Sequence, residues 1–421
     1  MTTTASFSDY AARLRRFMAQ SLAGGILPHE KSVEQFEQLA LDLFALQFEW
    51  NASYRNLCEA RRLAPANVSR WANIPAVPAS AFKELELTSL PADERTKVFH
   101  SSGTTGQRPS RHFHSRDSLA LYETSLIPWF QKHLLPEWAG AGGSWAGFQP
   151  ASGASSPRSE NEQDARRGRL EACPTRGADS GLAECRIDFL ALTPPALQAP
   201  HSSLVHMFET VVARFGTTAS VVCGEVGADG SWSLAQTGAE HFLHEARKAG
   251  RPVAVMGTAF SFVHLLDGLA GKNRRLNLPS GSRVLETGGY KGRSRALAKS
   301  ELHSLITERL GIPADHIVCE YGMSELSSQA YDLSLGYPRT THHAPLLLRF
   351  PPWARVQIVS PETGREVGEG ETGLLRIFDL ANVRSVLAIQ TEDLAIRRGD
   401  GFELLGRALT AEPRGCSLMA K

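Results

Sequence analysis

Apolar residues recur mostly at three- and four-residue spacing through Phe36, Leu39, Ala40, Leu43, Phe44 and Phe48. That period gathers them on one helix face, and the first hundred residues read as largely helical. In Trp71–Pro78 the pattern breaks, because Pro75 and Pro78 stand too close together for a regular helix to pass through both. Lys97–His100 then reads as a short strand. From about 187 to 320 short apolar runs alternate with amphipathic stretches. Ala219–Val222, Val253–Met256, Arg283–Glu286 and His316–Cys319 are strand candidates, with helices at 239–249 and 295–310 between them. Such alternation argues for an α/β sheet with ligand loops at the strand ends. Further on, Arg355–Val359 and Gly373–Phe378 flank the turn signature Pro361-Glu362-Thr363-Gly364, which predicts a β-rich subdomain.

The pattern is weakest at 139–186. Gly, Ala, Ser, Glu and Arg dominate from Ser152 to Arg186, and no aromatic residue follows Phe148 there. Such a segment buries too little apolar surface to offset its ordering entropy, so a mobile surface insertion is expected. A domain linker is the alternative, but candidate strands resume beyond it. The expected organisation is a helical N-terminal part over 1–96, an α/β core over 97–350, a β-rich subdomain over 351–406 and a short tail over 407–421.

Composition narrows the class. With 421 residues, 42% hydrophobic and 21% charged, the chain can bury a large core in one big domain or two unequal ones. A formal net charge of +1, without any Lys/Arg run, gives no sign of a nucleic-acid partner. The start, Met1-Thr2-Thr3-Thr4-Ala5-Ser6, lacks the charged and apolar regions of a leader. No apolar run approaches the roughly 20 residues that span a bilayer. A soluble cytoplasmic protein is expected. The cysteines, at 58, 173, 185, 223, 319 and 416, are too sparse and irregular for a disulfide framework, and reduced thiols are expected. Cys223 and Cys319 follow apolar runs and suit buried packing. Cys416 differs: in Arg414-Gly415-Cys416-Ser417 a neighbouring cation favours the reactive thiolate, the alternative being a plain free thiol.

Four stretches carry candidate chemistry. Ser101, Ser102, Gly103, Thr104, Thr105 and Gly106 form a hydroxyl- and glycine-rich loop that could cradle phosphate through backbone amides and side-chain donors. It lacks the lysine and spacing of a Walker A loop, and a polar turn after a strand is the alternative; Arg108 and Arg111 favour the anion. Tyr321-Gly322-Met323-Ser324-Glu325 offers an aromatic face, a hydroxyl and a carboxylate able to hold Mg²⁺, or simply a strand end with a capped helix. Glu286-Thr287-Gly288-Gly289-Tyr290 ends a strand in a similar way, and its two glycines could let a flat base lie against backbone. Thr391-Glu392-Asp393 reads as an acidic turn where Asp393 could accept both ribose hydroxyls, and Gly406 as a swivel before Arg407. No H-E-x-x-H or G-x-S-x-G scheme is present, and no G-x-G-x-x-G follows a strand.

With these residues in place the chain resembles the adenylate-forming enzymes, and within them the acyl-protein synthetases, the long-chain-fatty-acid ligase type that supplies activated fatty acid to the reductase complex of bacterial bioluminescence. The resemblance rests on Ser101–Gly106, Tyr321–Gln329 and Gly401–Arg407, with Pro200–Phe208 also similar, and covers most of the chain outside 139–186. It implies the large-domain α/β architecture of that superfamily without the full mobile C-terminal domain, whose catalytic lysine has no counterpart in the fourteen residues after Arg407. It also implies the reaction. A fatty or related carboxylic acid plus ATP, with Mg²⁺, would give an acyl adenylate and then a thioester. Ser101–Gly106 would hold the phosphates, Gly288 and Gly289 line the adenine pocket, Tyr321 and Gly322 meet the base, and Asp393 bind the ribose. Ser324 and Glu325 would sit at the reacting carboxylate and the metal, and Arg407 at a domain hinge. Cys416 matches the position of the acyl-accepting cysteine, and an acyl reductase or acceptor protein would be the partner. Two alternatives stay open: a ligase that loads coenzyme A or a carrier protein, and a non-catalytic nucleotide-binding partner in an assembly.

Overall fold

The computed structural model describes residues 6–23, 30–101, 108–138, 186–288, 297–332, 335 and 346–408. The chain opens with helices α1 (Phe7–Ala23), α2 (Glu30–Trp50) and α3 (Ala52–Ala60), then strand β1 (Val77–Pro78) and helix α4 (Ala81–Glu84). The pair β2 (Lys97–His100) and β3 (Arg111–His114) leads into α5 (Arg116–Leu134). The α/β part follows as β4 (Asp188–Ala191), α6 (Ser203–Phe215), β5 (Val221–Val222), β6 (Gly224–Val226), β7 (Trp232–Leu234), α7 (Gln236–Lys248), β8 (Val253–Thr258), α8 (Ala259–Gly271), β9 (Arg283–Thr287), α9 (Lys299–Leu310), β10 (Ile317–Tyr321) and β11 (Ala330–Tyr331). Strands β12 (Leu347–Leu348), β13 (Ala354–Val359), β14 (Thr372–Asp379), β15 (Ala388–Arg398) and β16 (Gly401–Arg407) complete it.

Strand residues alternate between two cores, which explains why the central sheet is covered on both faces. The sheet runs β11-β10-β9-β8-β4-β5, parallel throughout except for the antiparallel β10–β11 pair. Leu190, Val253, Val255, Val284 and Ile317 point into a core shared with α7, α8 and α9. Their neighbours Phe189, Ala191, Ala254, Met256, Leu285 and Val318 point into the other core, shared with α5 and α6. Near-continuous apolar strands are what a doubly covered parallel sheet requires. Each of the larger ones, such as Leu190, Phe189, Met256 or Ile317, is worth about 2–5 kcal/mol against truncation to alanine.

The second sheet, β12-β16-β15-β14-β13, is antiparallel, with β1 added parallel to β15 through Val77 and Ile389. The N-terminal helices pack on it. Phe36, Leu39, Ala40, Leu43 and Phe44 of α2 are buried in the same core as Ile377 and Phe378. The Gln47 amide donates to the Asn382 carbonyl at 2.7 Å and accepts from the Leu387 amide at 2.9 Å. Trp71 meets Phe378 edge-on at 4.8 Å.

The four α/β strand candidates and both expected helices appear as β5, β8, β9, β10, α7 and α9, and the β-rich pair as β13 and β14. Cys223 and Cys319 are buried. One expectation is overturned: Thr391–Asp393 is no turn but the middle of the eleven-residue strand β15. The expected insertion lies, except for Arg186, outside the described residues. No helix among the described residues is long and apolar enough to cross a membrane.

Candidate active site

The turn after β10 joins two unlike groups of side chains. At its start, the buried Tyr321 hydroxyl donates to Asp393 Oδ2 at 2.7 Å. Asp393 lies on β15 directly across from Arg407 on β16. Arg407 Nε donates to Asp393 Oδ1 at 3.2 Å, and its Nη2 donates to Glu392 Oε2 at 2.9 Å. The β15–β16 register shifts between Leu394 and Ala395, and Gly406 opposite takes φ +125°, a conformation that favours glycine. That bulge sets the register in which Arg407 reaches both carboxylates. Arg407 is the last residue of β16. Burial, then the charge of Asp393, pushes the Tyr321 hydroxyl well above its ordinary pKa, so it stays a donor.

At the other end of the turn, Ser324 Oγ donates to the His100 carbonyl at 3.1 Å and lies 3.4 Å from Ser203 Oγ. His100 closes β2, immediately before the Ser101 loop, and Ser203 is the first residue of α6. The His100 ring stacks on His201 at 4.5 Å, and the His100 amide donates to the His201 carbonyl at 2.8 Å. Three segments far apart in sequence, at 100–101, 201–203 and 321–325, thus meet around one hydroxyl. Burial, then His201 and Arg111, lowers the His100 pKa and favours the neutral ring. Ser101 is buried, with its hydroxyl accepting from the Ser110 amide at 3.0 Å. Arg108 is exposed, while Arg111 pairs across the β2–β3 ladder with His100.

Glu325 follows at 1% exposure, its carbonyl accepting from Asn382 Nδ2 at 2.9 Å. The next residues are pinned by Asp379: the Ser327 amide donates to Oδ2 at 2.9 Å and Ser328 Oγ to Oδ1 at 2.8 Å. Ser125 Oγ lies 3.0 Å from Ser328 Oγ and accepts from Trp353 Nε1 at 2.7 Å. Burial pushes the Asp379 carboxyl up to about 6 despite these donors. This network, which reaches from α5 to β14, fixes the backbone that aims Glu325. Glu325 supplies one carboxylate, which fits Mg²⁺, an ion that takes one or two protein carboxylates and fills its remaining positions with phosphate and water.

Gly288 directly follows β9 with φ +70°, in the left-handed region. Ser102, Gly103, Thr104, Thr105, Gly106, Gly289 and Cys416 lie outside the described residues. A surface cavity of about 210 Å³ opens beyond Phe350 and Phe402, the rings that meet Tyr321 edge-on, and neither Ser324 nor Glu325 lines it.

Sequence reading missed Glu392, His100 and the His201 ring as participants, and it missed Glu320. The hydroxyl of Thr287 donates to Glu320 Oε2, and a Cβ on Gly322 would stand 2.3 Å from Oε1. Glycine at 322 therefore leaves room for this buried acid. Burial, outweighing Thr287 and Lys299, raises Glu320 from 4.5 to about 7. The folded protein holds this proton more tightly than the unfolded chain. Its stabilising contribution is fully present below about pH 4.5 and lost as pH rises through about 7. Glu320→Gln should gain stability relative to the parent by on the order of 2 kcal/mol between pH 5 and pH 8. Denaturant melts at both pH values measure this, and a pH-independent difference would contradict it.

Asp393 already accepts two hydrogen bonds, and a carboxylate offers about four acceptor sites, so two remain for a diol. Asp393→Ala is expected to raise the KM for ATP by about 10–100-fold, the equivalent of one or two charged hydrogen bonds. It should also cost about 1–3 kcal/mol of stability, because the buried Tyr321 hydroxyl loses its acceptor. Steady-state kinetics and denaturant melts give both numbers; an unchanged KM would remove Asp393 from the nucleotide site.

Residues 185–421 match the family described as acyl-protein synthetase, LuxE. The chain is 21% identical over 405 residues to the long-chain-fatty-acid–luciferin-component ligase of Vibrio harveyi, covering 93% of this chain and 89% of that protein. It is 20% identical over 402 residues to the ligase of the same name from Aliivibrio fischeri, covering 92% and 88%. Among solved structures it is similar to an open conformation of 2-hydroxyisobutyryl-CoA ligase in complex with 2-HIB-AMP and CoA, with a TM-score of 0.54 at 12% identity over 93% of this chain and 81% of that one. At this identity the likeness concerns the fold, which is the mixed α/β fold of an adenylate-forming ligase. The matched span covers more than half of the chain and contains the 321–325 turn together with Glu392, Asp393 and Arg407, and the chain belongs to the LuxE acyl-protein synthetase family.

Proposed function

We propose that the chain uses ATP and Mg²⁺ to activate a carboxylic acid of fatty or related acyl type and passes the acyl group to the Cys416 thiol. In the first step a substrate carboxylate oxygen attacks the α-phosphorus of ATP. The new O–P bond forms as the bond to the bridging oxygen breaks, and pyrophosphate leaves. In the second, the Cys416 thiolate attacks the carbonyl carbon of the acyl adenylate; the C–S bond forms and AMP leaves with the electron pair.

The observation that carries this reading is the Tyr321–Asp393–Arg407–Glu392 linkage, which sets the Asp393 carboxylate of the β-rich sheet against the strand end that leads to Ser324 and Glu325. In this reading Ser101–Gly106 hold the phosphates, Gly288 and Gly289 flank the adenine, and Tyr321 and Gly322 meet the base. Arg407 orients Asp393 through the hydrogen bond from its Nε. Ser324 and Glu325 face the reacting carboxylate, and Mg²⁺ on Glu325 supplies charge neutralisation. The resulting thioester suits transfer to an acyl reductase or acceptor protein.

Pyrophosphate release tests the reading. It should require both ATP and an acid from a broad panel. No acid-dependent release would leave a non-catalytic nucleotide-binding partner, and acyl-CoA formed by the Cys416→Ser protein would instead indicate a ligase serving a separate thiol.

A further inference from the structure

Behind the adenine-side strand ends lies a second cluster that the proposed reaction does not use. Glu286 on β9, His303 on α9 and Cys319 on β10 are each at most 1% exposed. Cys319 Sγ lies 3.2 Å from Glu286 Oε2 and 3.6 Å from His303 Nε2, and His303 Nε2 lies 3.6 Å from the same carboxylate oxygen. Three different donor atoms, from three elements, converge on one buried point. Tetrahedral zinc, with bonds of about 2.3 Å to sulfur and about 2.0–2.1 Å to nitrogen and oxygen, puts its ligand atoms about 3.4–3.6 Å apart. The three observed separations fall around that value without rearrangement. Glu286 Oε1, also buried, has no hydrogen-bond partner among the described residues.

We propose that Glu286, His303 and Cys319 form a divalent-cation site of the zinc type beneath the nucleotide loops. Lys299 now takes the cation's part, its Nζ donating to Glu286 Oε2 at 2.9 Å. Its side chain is 42% exposed, so the ammonium can withdraw into water when a metal enters. Binding converts the Cys319 thiol to a metal-bound thiolate and releases one proton. A thiolate, an imidazole and a carboxylate are a zinc donor set, unlike the oxygen donors that select Mg²⁺. Glu286 lies two residues before Gly288, and Cys319 two before Tyr321. The ion would therefore tie together the two strand ends that the proposed function assigns to the adenine.

The test uses full-length protein stripped with a chelator, free of ATP and Mg²⁺, and titrated with Co²⁺. One equivalent should produce a thiolate-to-cobalt charge-transfer band that Zn²⁺ abolishes by displacement. The band should vanish in Cys319→Ser and survive in Cys416→Ser. His303→Gln, with its fold checked by circular dichroism, should weaken binding at least about tenfold and guards against a Cys319 variant that fails to fold. Lys299→Ala should bind at least about tenfold more tightly, because it removes a competing cation. No band, a band that persists in Cys319→Ser, or an affinity unchanged in Lys299→Ala would overturn the proposal.

Discussion

Glu325→Gln is expected to slow acyl-adenylate formation by about 10²–10³-fold while leaving the melting temperature within a few degrees of the parent. The substitution keeps shape and removes charge. Glu325 is 1% exposed, and its backbone is held from outside by Asn382, with Asp379 anchoring Ser327 and Ser328 just beyond. None of these anchors needs the Glu325 carboxylate, so the fold should tolerate the amide. A metal ligand does not tolerate it, since Mg²⁺ depends on carboxylate charge to offset dehydration. Pyrophosphate release measured at rising Mg²⁺ checks the role. A near-parental rate at saturating Mg²⁺ would show that Glu325 serves packing instead.

Cys416→Ser is expected to abolish hydroxylamine-sensitive acylation of the protein, with carboxylate-dependent pyrophosphate formation still measurable. Activation and transfer use different groups in this account: the first depends on the 321–325 turn and Asp393, the second on a thiolate. Serine keeps the size of the side chain but is a far weaker nucleophile at neutral pH, because a hydroxyl ionises at much higher pH than a thiol. Labelling with a radioactive or clickable acid, followed by hydroxylamine, separates the two activities. Thioester retained on the serine variant would sink the self-loading step.

Much of the fold was legible because it follows from local periodicity. The α2 stripe from Phe36 to Phe44 is buried where a three-and-four spacing puts it, and the apolar runs at 253, 283 and 317 became adjacent parallel strands. Helix α8 (Ala-Phe-Ser-Phe-Val-His-Leu-Leu onward) escaped notice for a physical reason: its exposed stripe carries only two polar side chains, His264 and Asp267, beside small Gly and Ala residues, so the polar period is weak. Asp393 was misread because Thr-Glu-Asp looks like a solvated turn. Its place inside β15 is set by long-range pairing with β14 and β16, which local composition does not encode. The motifs that the proposed function assigns to the nucleotide were visible as short strings, but not what holds them. The Ser125–Ser328–Asp379 chain spans more than two hundred residues of sequence, and the Tyr321–Asp393 bond spans 72. Cys319 was rightly read as buried, yet its neighbours Glu286 and His303 come from a strand and a helix that only the sheet order brings together.

Intact-protein mass spectrometry after incubation with ATP, Mg²⁺ and a panel of carboxylic acids tests the central claim most directly. The account predicts one covalent acyl adduct per chain, dependent on ATP, removed by neutral hydroxylamine and mapped by peptide analysis to Cys416. An unmodified mass with every acid, or an adduct mapped to another residue, would contradict it.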